Sequence, residues 1–373
     1  MSRCPALAVP ALLVTLALTG TLAACGGDDG PTPDLSVESQ GELGVATRWQ
    51  TVTDGTRQRP LTIQVWYPTT AVESSLPITE LEAEPRRTDY AGLLAQTDPG
   101  CATRTLTAAR DAAPAPGTFP LVAFSHCHEC TRYSGASIAT RIASHGFVVV
   151  AVDHTGNTLW DRRDGTPLPL DATTLELRVG DLAFAVDQIR GGVGFEVVSA
   201  ALDPTRTGVF GHSFGSVTAG LYAQRHPEVG AAFGLAAPME NPLLPGVTIT
   251  EIEAPLGFLV AREDNSISEL GNELIRGNFM RATGGSWKLE VADAGHWSVS
   301  DLVGLVPAFA PGCGAGTRQT DGQAFTYLDA DSGRDIAASY VTAFFKATLG
   351  GDAGAQAYLE TAHPAGTVTV EHR

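Results

Sequence analysis

One short stretch, Val209-Phe210-Gly211-His212-Ser213-Phe214-Gly215-Ser216, places a serine between two glycines that each lie two positions away. This spacing is typical of a nucleophile elbow, where a strand turns abruptly into a helix and flanking side chains would collide. The β-branched and apolar run at 205–211 predicts a buried strand before the serine, and the Ala/Leu/Tyr-rich run at 217–225 predicts a helix after it. The sequence therefore predicts a reactive Ser213 hydroxyl on a tight turn.

A serine hydroxyl is a poor nucleophile until a base accepts its proton, and His296 is the best candidate for that base. It follows the apolar-alternating run at 287–291, which predicts a late strand whose end can project such a side chain. His363 and His372 also follow the elbow, but their polar tail shows no such strand, and we interpret them as solvated surface residues. The alternative interpretation of His296 is a histidine packed within its loop.

The third group that this chemistry needs is a carboxylate, which orients the imidazole and stabilises the imidazolium. Asp264 is the best candidate because it follows the apolar run at 255–261, and ligand-facing residues of open α/β sheets gather at the carboxyl ends of strands. Glu263, one residue away, and Glu240, on the loop after the preceding strand, are alternatives. The alternative role for Asp264 is to cap a helix that begins near residue 266.

Serine attack on a carbonyl group also requires donors that stabilise the developing oxyanion. The backbone N–H of Phe214, directly after the serine, is predicted to be one of them. The other is expected in the loop after the strand at 119–125, where the amide of His128 is the first choice and that of Cys127 the alternative.

Further motifs occur in one order along the chain and together carry a resemblance to a known family. They are Val65-Trp66-Tyr67-Pro68, Phe124-Ser125-His126, Arg132-Tyr133-Ser134, Ala143-Ser144-His145-Gly146-Phe147-Val148-Val149, Asp153-His154, the elbow, and His296 followed by Ser300-Asp301-Leu302. From about residue 44 to residue 302 the chain resembles the platelet-activating-factor acetylhydrolase and dienelactone-hydrolase-like group of α/β-hydrolases.

The resemblance implies an α/β-hydrolase fold, with a mostly parallel central sheet, helices on both faces and a long insertion after the second strand. It implies that Ser213 is the nucleophile and His296 the base of a serine esterase. Such an enzyme forms an acyl-enzyme on short or medium acyl esters, phospholipid-like or otherwise. A polyester or triglyceride hydrolase is the nearest alternative, and a catalytically inactive lipoprotein that binds lipid is an alternative from another class.

The chain departs from the family pattern at two points. Cys127 stands where the family usually has glycine in its oxyanion loop, which affects the shape of that loop. The acetylhydrolases carry their acid after the strand that follows the elbow helix, whereas the stretch at 234–238 contains no acid. Asp264 instead resembles the acid of polyester hydrolases and cutinase-like enzymes, which lies after the following strand.

The N-terminal segment predicts export and a lipid anchor. Arg3 precedes an apolar run at 6–18 that is short for a transmembrane span, and Leu22-Ala23-Ala24-Cys25 resembles a bacterial lipobox. We therefore expect residues 1–24 to be a lipoprotein signal peptide, Cys25 to carry lipid, and residues 25–42 to be a flexible tether. Ordinary secretory cleavage is the alternative. The expected location is the extracytoplasmic face of a bacterial membrane.

The cysteine count fits export, because an even number remains beyond the signal peptide and the lipid position. These four can pair as disulfides in three ways: Cys101, Cys127, Cys130 and Cys313. The loop at 126–130 also contains histidines of the kind that bind zinc, but zinc sites usually draw on two separated clusters and no second pair follows downstream. We therefore expect neither a metal nor another cofactor.

Charge and length limit the remaining possibilities. The formal net charge of −17 argues against binding to nucleic acid and against electrostatic recruitment to anionic lipid. Residues 43–373 are long enough for a single α/β-hydrolase domain. Within it, the segment at 69–118 is too long for a plain connection and is predicted to form a lid or one wall of the substrate pocket. Trp160 is a candidate for the pocket edge, with packing as the alternative.

Overall fold

The computed structural model describes residues 31–192 and 194–373. The strands of these residues are β1 (Gly44–Asp54), β2 (Arg59–Thr69), β3 (Ser74–Pro77), β4 (Thr105–Arg110), β5 (Phe119–Ser125), β6 (Val148–Val152), β7 (Leu202–His212), β8 (Val229–Leu235), β9 (Leu256–Ala261), β10 (Ser286–Val291), β11 (Ala315–Thr317), β12 (Ala324–Thr326) and β13 (Val368–His372). The helices are α1 (Arg86–Gln96), α2 (Ala136–Ser144), α3 (Leu159–Asp164), α4 (Ala172–Gly191), α5 (Glu196–Ser199), α6 (Phe214–Arg225), α7 (Ser268–Arg281), α8 (Ala330–Gly350) and α9 (Ala353–Leu359).

A central sheet with the order β13-β10-β9-β8-β7-β5-β6-β2-β1-β4-β3 runs through the protein. The six strands from β10 to β6 in this order are parallel to one another, which confirms the predicted mostly parallel sheet. In β6, Val149 and Ala151 face one core cluster while Val148 and Val150 face the other. A strand buried on both faces is apolar throughout, which explains why these segments show no polar alternation.

Helices cover both faces of the sheet, as predicted. Ile142 of α2 and Phe344 of α8 belong to the core cluster on one face. Leu182 of α4 and Leu221 of α6 belong to the cluster on the other face. The elbow helix α6 therefore starts at the carboxyl edge of the parallel strands and packs on the same face of the sheet as α4.

The segment at 69–118 differs from the lid that we predicted. Its strand β4 pairs in parallel with β1, and β3 pairs with β4, so the segment lengthens the sheet at its edge. Helix α1 packs inward through Tyr90, whose ring centroid lies 5.5 Å from that of Tyr133. The cavity beside Ser213 is lined by residues from other parts of the chain. The segment lacks clear periodicity because its strands are short and lie at an edge.

Trp160 is a packing residue and does not form the pocket edge that we considered. Its side chain is buried in α3, and Nε1 donates a hydrogen bond of 2.9 Å to Glu82 Oε1. Its ring meets Tyr90 edge-on, with centroids 6.3 Å apart. The aromatic group therefore joins α3 to the inserted segment.

Both ends of the described chain are more ordered than we predicted. The predicted tether (25–42) overlaps the described residues, yet Val37 is fully buried and its carbonyl group accepts a hydrogen bond of 2.8 Å from Arg141. At the other end, β13 pairs with β10, and His372 stacks on Trp287 with ring centroids 4.7 Å apart. The polar tail that we predicted is thus an edge strand, which five residues were too few to reveal.

Two disulfides decide among the open cysteine pairings. Cys101 bonds to Cys313, which is 212 positions away, and Cys127 bonds to Cys130. The signal peptide predicted at 1–24 and the lipid position Cys25 lie outside the described residues. Within residues 31–192 and 194–373, every helix is too short or too polar to cross a membrane.

Candidate active site

The turn at Ser213 holds the serine in a rare backbone conformation, with φ 56° and ψ −121°. Such strain costs on the order of 1–3 kcal/mol and persists only where the surroundings enforce it. A Cβ atom on residue 211 would lie 2.0 Å from the Gly215 carbonyl oxygen, and one on residue 215 would lie 1.9 Å from the Ser125 carbonyl oxygen. Glycine is therefore required at both positions, because α6 starts directly against the ends of β7 and β5.

Ser213, His296 and Asp264 lie together at the carboxyl ends of β7, β10 and β9. His296 Nε2 is 2.8 Å from Ser213 Oγ, and His296 Nδ1 is 2.7 Å from Asp264 Oδ2. Asp264 is fully buried, His296 is nearly so, and Ser213 is partly open to solvent. The structure thus joins the three residues that the sequence singled out into one hydrogen-bonded chain.

Asp264 uses its two carboxylate oxygens for different tasks. While Oδ2 contacts His296, Oδ1 accepts hydrogen bonds from the backbone N–H groups of Ser266 (2.9 Å) and Ile267 (3.0 Å). These bonds shape the turn that leads into α7. Asp264 is therefore not the cap of α7, whose N-cap residue is Ile267 and has no side-chain cap bond. The turn that Asp264 Oδ1 holds instead fixes the carboxylate against His296.

The two alternative acids are engaged elsewhere. Glu263 pairs with Arg318 at 2.8 Å. Glu240 pairs with Arg281 at 3.0 Å and accepts a hydrogen bond of 2.7 Å from the Ile249 N–H. Both carboxylates thus stabilise loops beside the site, whereas Asp264 is the one in contact with the imidazole.

The loop after β5 brings His128 to the cavity that Ser213 and Phe214 also line. Its left-handed residue is Glu129 (φ 55°), so Cys127, at the position where the related family has glycine, needs no such conformation. Because Cys127 and Cys130 form a disulfide, they offer no thiolate to a metal. The disulfide closes the loop into a short ring beside the elbow.

The neutral ring of His126 stabilises this loop through two hydrogen bonds. The backbone N–H of His154 donates to His126 Nε2 at 3.1 Å, so the proton of the His126 ring lies on Nδ1, which donates to the Cys127 carbonyl oxygen at 2.7 Å. Burial holds the pKa of His126 well below its usual value. The ring therefore stays neutral and keeps this tautomer at neutral pH.

A cavity of about 420 Å³ opens beside Ser213, and most of its lining is apolar. Three leucines at its mouth expose much of their side chains: Leu170, Leu243 and Leu270. His128 is the one lining residue with an ionisable side chain in the part of the chain that the structure describes. The site thus offers a nucleophile to an apolar ligand of moderate size.

Known proteins resemble the chain in sequence and in fold. The sequence model of the family described as platelet-activating factor acetylhydrolase, isoform II, matches residues 51–159. Cutinase 2 of Thermobifida cellulosilytica is 33% identical over 118 residues, which are 32% of this chain and 39% of that protein. Cutinase cut1 of Thermobifida fusca is 33% identical over 118 residues, or 32% of each chain. The chain therefore spans well under half the length of these curated relatives.

A solved structure extends the likeness to most of the fold. It is a ferulic acid esterase from Streptomyces cinnamoneus, which superposes with a TM-score of 0.66 at 24% identity and covers 89% of this chain and 97% of its own. The chain has the α/β-hydrolase fold. The predicted fold class is therefore confirmed by the strand order and by this superposition.

In this α/β-hydrolase fold, the segment after β10 braces the loop that carries His296. The N–H of Trp297 donates to the Pro311 carbonyl oxygen at 2.9 Å, and the Trp297 ring stacks on Phe309 with centroids 4.0 Å apart. The disulfide at Cys313 then ties this segment to Cys101. The inserted segment thus supports the base from a distance.

Asp301 makes a second connection that the sequence motif did not explain. Its carboxylate accepts hydrogen bonds from Thr103 Oγ1 (2.6 Å) and from the Ser137 N–H (2.9 Å). Burial raises the pKa of this carboxyl group. The motif residue therefore anchors the histidine loop to α2 and to the inserted segment.

Arg178 of α4 is a buried residue near the site that our sequence reasoning missed. It is 1% exposed and lies directly behind the loop after β5. The sequence did contain a signal for its burial. Leu175, Arg178 and Leu182 follow the i, i+3, i+7 spacing of core positions, so Arg178 lies on the buried face of the helix. A charged residue at such a position indicates a buried polar network.

We predict that Asp264→Asn slows covalent labelling of Ser213 by a fluorophosphonate about 10³- to 10⁴-fold, because the amide favours the wrong imidazole tautomer. Intact-mass spectrometry over time measures the rate. Glu263→Gln and Glu240→Gln serve as matched controls and should label at the wild-type rate. Labelling of Asp264→Asn at the wild-type rate would remove this residue from the hydrogen-bonded chain that activates the serine.

Proposed function

We propose that the protein is a serine carboxylic ester hydrolase that works through an acyl-enzyme on Ser213. The observation that carries this proposal is the continuous chain of hydrogen bonds from Ser213 through His296 to Asp264 at the opening of an apolar cavity. The matched cutinases and the ferulic acid esterase are ester hydrolases by their names, which supports the same reaction class.

The geometry supports a two-step mechanism. Ser213 Oγ forms a bond to the ester carbonyl carbon while its proton passes to His296 Nε2. The bond to the alcohol then breaks, and the alcohol leaves with the proton from His296, so an acyl group remains on Ser213. Water repeats the sequence with His296 as base, which releases the carboxylic acid and restores the serine.

Asp264 and two backbone amides stabilise the charges that develop during these steps. Asp264 accepts the Nδ1–H of His296 and stabilises the imidazolium. The N–H groups of Phe214 and His128 are the proposed donors to the oxyanion, because both residues line the cavity beside Ser213. One such donor is typically worth about 2.7–4 kcal/mol of barrier lowering.

The preferred substrate in this proposal is a short or medium acyl ester, such as the phospholipid-like esters that acetylhydrolases cleave. The cavity of about 420 Å³ accommodates a small acyl or alcohol group, and its apolar lining favours hydrocarbon. The match to the acetylhydrolase family over residues 51–159 points the same way.

A polyester or triglyceride hydrolase is the second candidate, and the rim of the cavity favours it. Leu170 is 51% exposed, Leu270 70% and Leu243 82%, so apolar side chains surround the mouth of the cavity. Such a patch suits contact with a water-insoluble substrate. The curated relatives are named cutinases, which supports this candidate independently.

We also propose that the protein is a lipoprotein held on the extracytoplasmic side of a bacterial membrane through lipid on Cys25. The support comes from the lipobox-like Leu22-Ala23-Ala24-Cys25 and the preceding apolar run. Two disulfides in the described residues are compatible with an oxidising compartment. In this arrangement the anchor holds the enzyme at a lipid surface without spanning it.

The reaction class is tested by turnover of p-nitrophenyl acetate. Ser213→Ala should lower kcat by at least about three orders of magnitude, because the nucleophile is lost. Ser75→Ala, which changes an exposed serine of the edge strand β3, is the control and should keep most activity. Turnover that persists in Ser213→Ala would contradict Ser213 as the nucleophile, and no turnover in the wild type would favour an inactive lipid-binding protein.

The substrate class is tested at the rim. The double variant Leu243→Ser/Leu270→Ser should keep kcat/KM for p-nitrophenyl acetate within about threefold of the wild type. It should release products from a polyester film or a triglyceride emulsion about tenfold or more slowly, because the apolar contact with the insoluble substrate is lost. Leu35→Ser is the control, because Leu35 is 54% exposed and lies outside the cavity lining. Equal activity of the double variant and the wild type on the insoluble substrate would contradict a role of the rim.

The lipid anchor is tested by metabolic labelling with palmitate in a bacterial host. The wild type should incorporate label and fractionate with membranes, whereas Cys25→Ser should do neither, because cysteine at the cleavage site is the residue that is acylated. Cys4→Ser is the control and should be labelled like the wild type. An unlabelled wild-type protein would contradict the proposed anchor.

A further inference from the structure

We propose that Arg178 is a positioning residue that holds both oxyanion donors in place, an inference that rests on the ester hydrolysis proposed above. The guanidinium is almost completely buried between α4, the elbow helix α6 and the loop after β5. It does not line the cavity and so would act through its neighbours.

The hydrogen bonds of Arg178 join three separate segments of the chain. Its acceptors are Thr218 Oγ1 (3.1 Å from Nε), Asn157 Oδ1 (2.5 Å from Nη1), Ser125 Oγ (3.0 Å from Nη2) and the His126 carbonyl oxygen, also reached by Nη2. All four acceptors are uncharged. One side chain thus connects the elbow helix, the loop after β6 and the loop after β5.

This arrangement is costly for stability alone. Burial lowers the pKa of Arg178 to about 9, because the charged form loses its hydration. The charge of Asp181, also on α4, partly offsets this effect on the pKa, but Asp181 forms its ion pairs with Arg57 and Arg59. A buried charge whose hydrogen-bond acceptors are all neutral typically makes a fold less stable than an apolar side chain of similar volume does, so the residue points to a role other than stabilising the fold.

Arg178 contacts the side chain of Phe214, the residue that supplies the first donor. The guanidinium carbon of Arg178 lies 4.5 Å from the centroid of the Phe214 ring, within the range of a cation–π interaction. Thr218, which accepts from Arg178, lies one turn further along the same helix. Arg178 therefore fixes the first turn of α6, and the N–H of Phe214 with it.

The contact with the second donor runs through an amide. Because Arg178 can only donate, Asn157 turns its Oδ1 toward the guanidinium, which leaves its NH₂ group to donate to His128 Nδ1 at 2.8 Å. The His128 ring is thus held as an acceptor at Nδ1, while the His126 carbonyl oxygen is held by Arg178 itself. Both bonds fix the stretch of backbone that contains the His128 N–H.

Placement of these donors matters more for the transition state than for substrate binding. Oxyanion donors act on charge that develops only during the reaction, and a shift of about 1 Å can cost about 100-fold in rate. Loss of Arg178 should therefore lower kcat and leave KM nearly unchanged.

The test compares Arg178→Met with the wild type on p-nitrophenyl acetate and on a trifluoromethyl ketone, whose adduct with serine places an oxyanion in the same donors. We expect kcat to fall about 10- to 100-fold, KM to stay within about threefold, and affinity for the ketone to fall in proportion to kcat/KM. The matched control is Arg141→Met, which removes another buried arginine on the opposite face of the sheet. It should lower the melting temperature and leave kcat and ketone affinity unchanged.

A folded Arg178→Met protein with wild-type kcat and ketone affinity would overturn the inference. If that variant does not fold, Asn157→Leu decides, because it removes the link to His128 and leaves the guanidinium in place. Loss of ketone affinity with unchanged KM in Asn157→Leu supports the inference, and wild-type affinity overturns it. A wild-type protein without esterase activity would instead defeat the proposed function.

Discussion

The contact between the start of α6 and the end of β5 is the constraint on which the site depends. A side chain on residue 215 would overlap the Ser125 carbonyl oxygen, and one on residue 211 would overlap the Gly215 carbonyl oxygen. Only with both glycines can the helix begin directly at the sheet edge. That close approach brings the serine beside the loop after β5 and exposes its hydroxyl to the cavity.

Strand order then completes the arrangement. Strands β9 and β10 are neighbours in parallel register, so the loops that follow them meet at the same edge. One loop carries Asp264 and the other His296, and their contact of 2.7 Å follows from this pairing. Because β8 lies between β7 and this pair, the loop that carries His296 extends past the end of β8 to reach Ser213.

The parts of the protein far from the serine serve mainly to hold these loops still. The inserted segment at 69–118 lengthens the sheet, and through Cys101 and Thr103 it holds the chain that follows His296 at two points, Cys313 and Asp301. Behind the loop after β5, Arg178 and the neutral ring of His126 hold the backbone through hydrogen bonds. An apolar cavity with a rigid polar wall is thereby formed, a construction suited to stabilising a charge that appears only briefly.

Much of the fold and of the candidate site was readable from local patterns. The elbow at 209–216, the apolar strands before Ser213, Asp264 and His296, and the elbow helix all depend on short-range sterics and on hydrophobic runs, which are properties of neighbouring residues. The elements at the edges could not be predicted in this way. Strands β13 and β3 are too short to show a period, and the segment at 34–42 has only one fully buried apolar residue, Val37.

The sequence by itself therefore determined the nucleophile candidate, its strand–turn–helix setting and the order of the parts along the chain. Only the tertiary structure decided which carboxylate contacts His296, which cysteines pair, and that Arg178 lies behind the loop after β5. The physical reason is that these features depend on which loops the sheet order brings together. Asp264 and Glu263 are adjacent in sequence, and only the direction of the chain after β9 turns one toward the imidazole and the other toward Arg318.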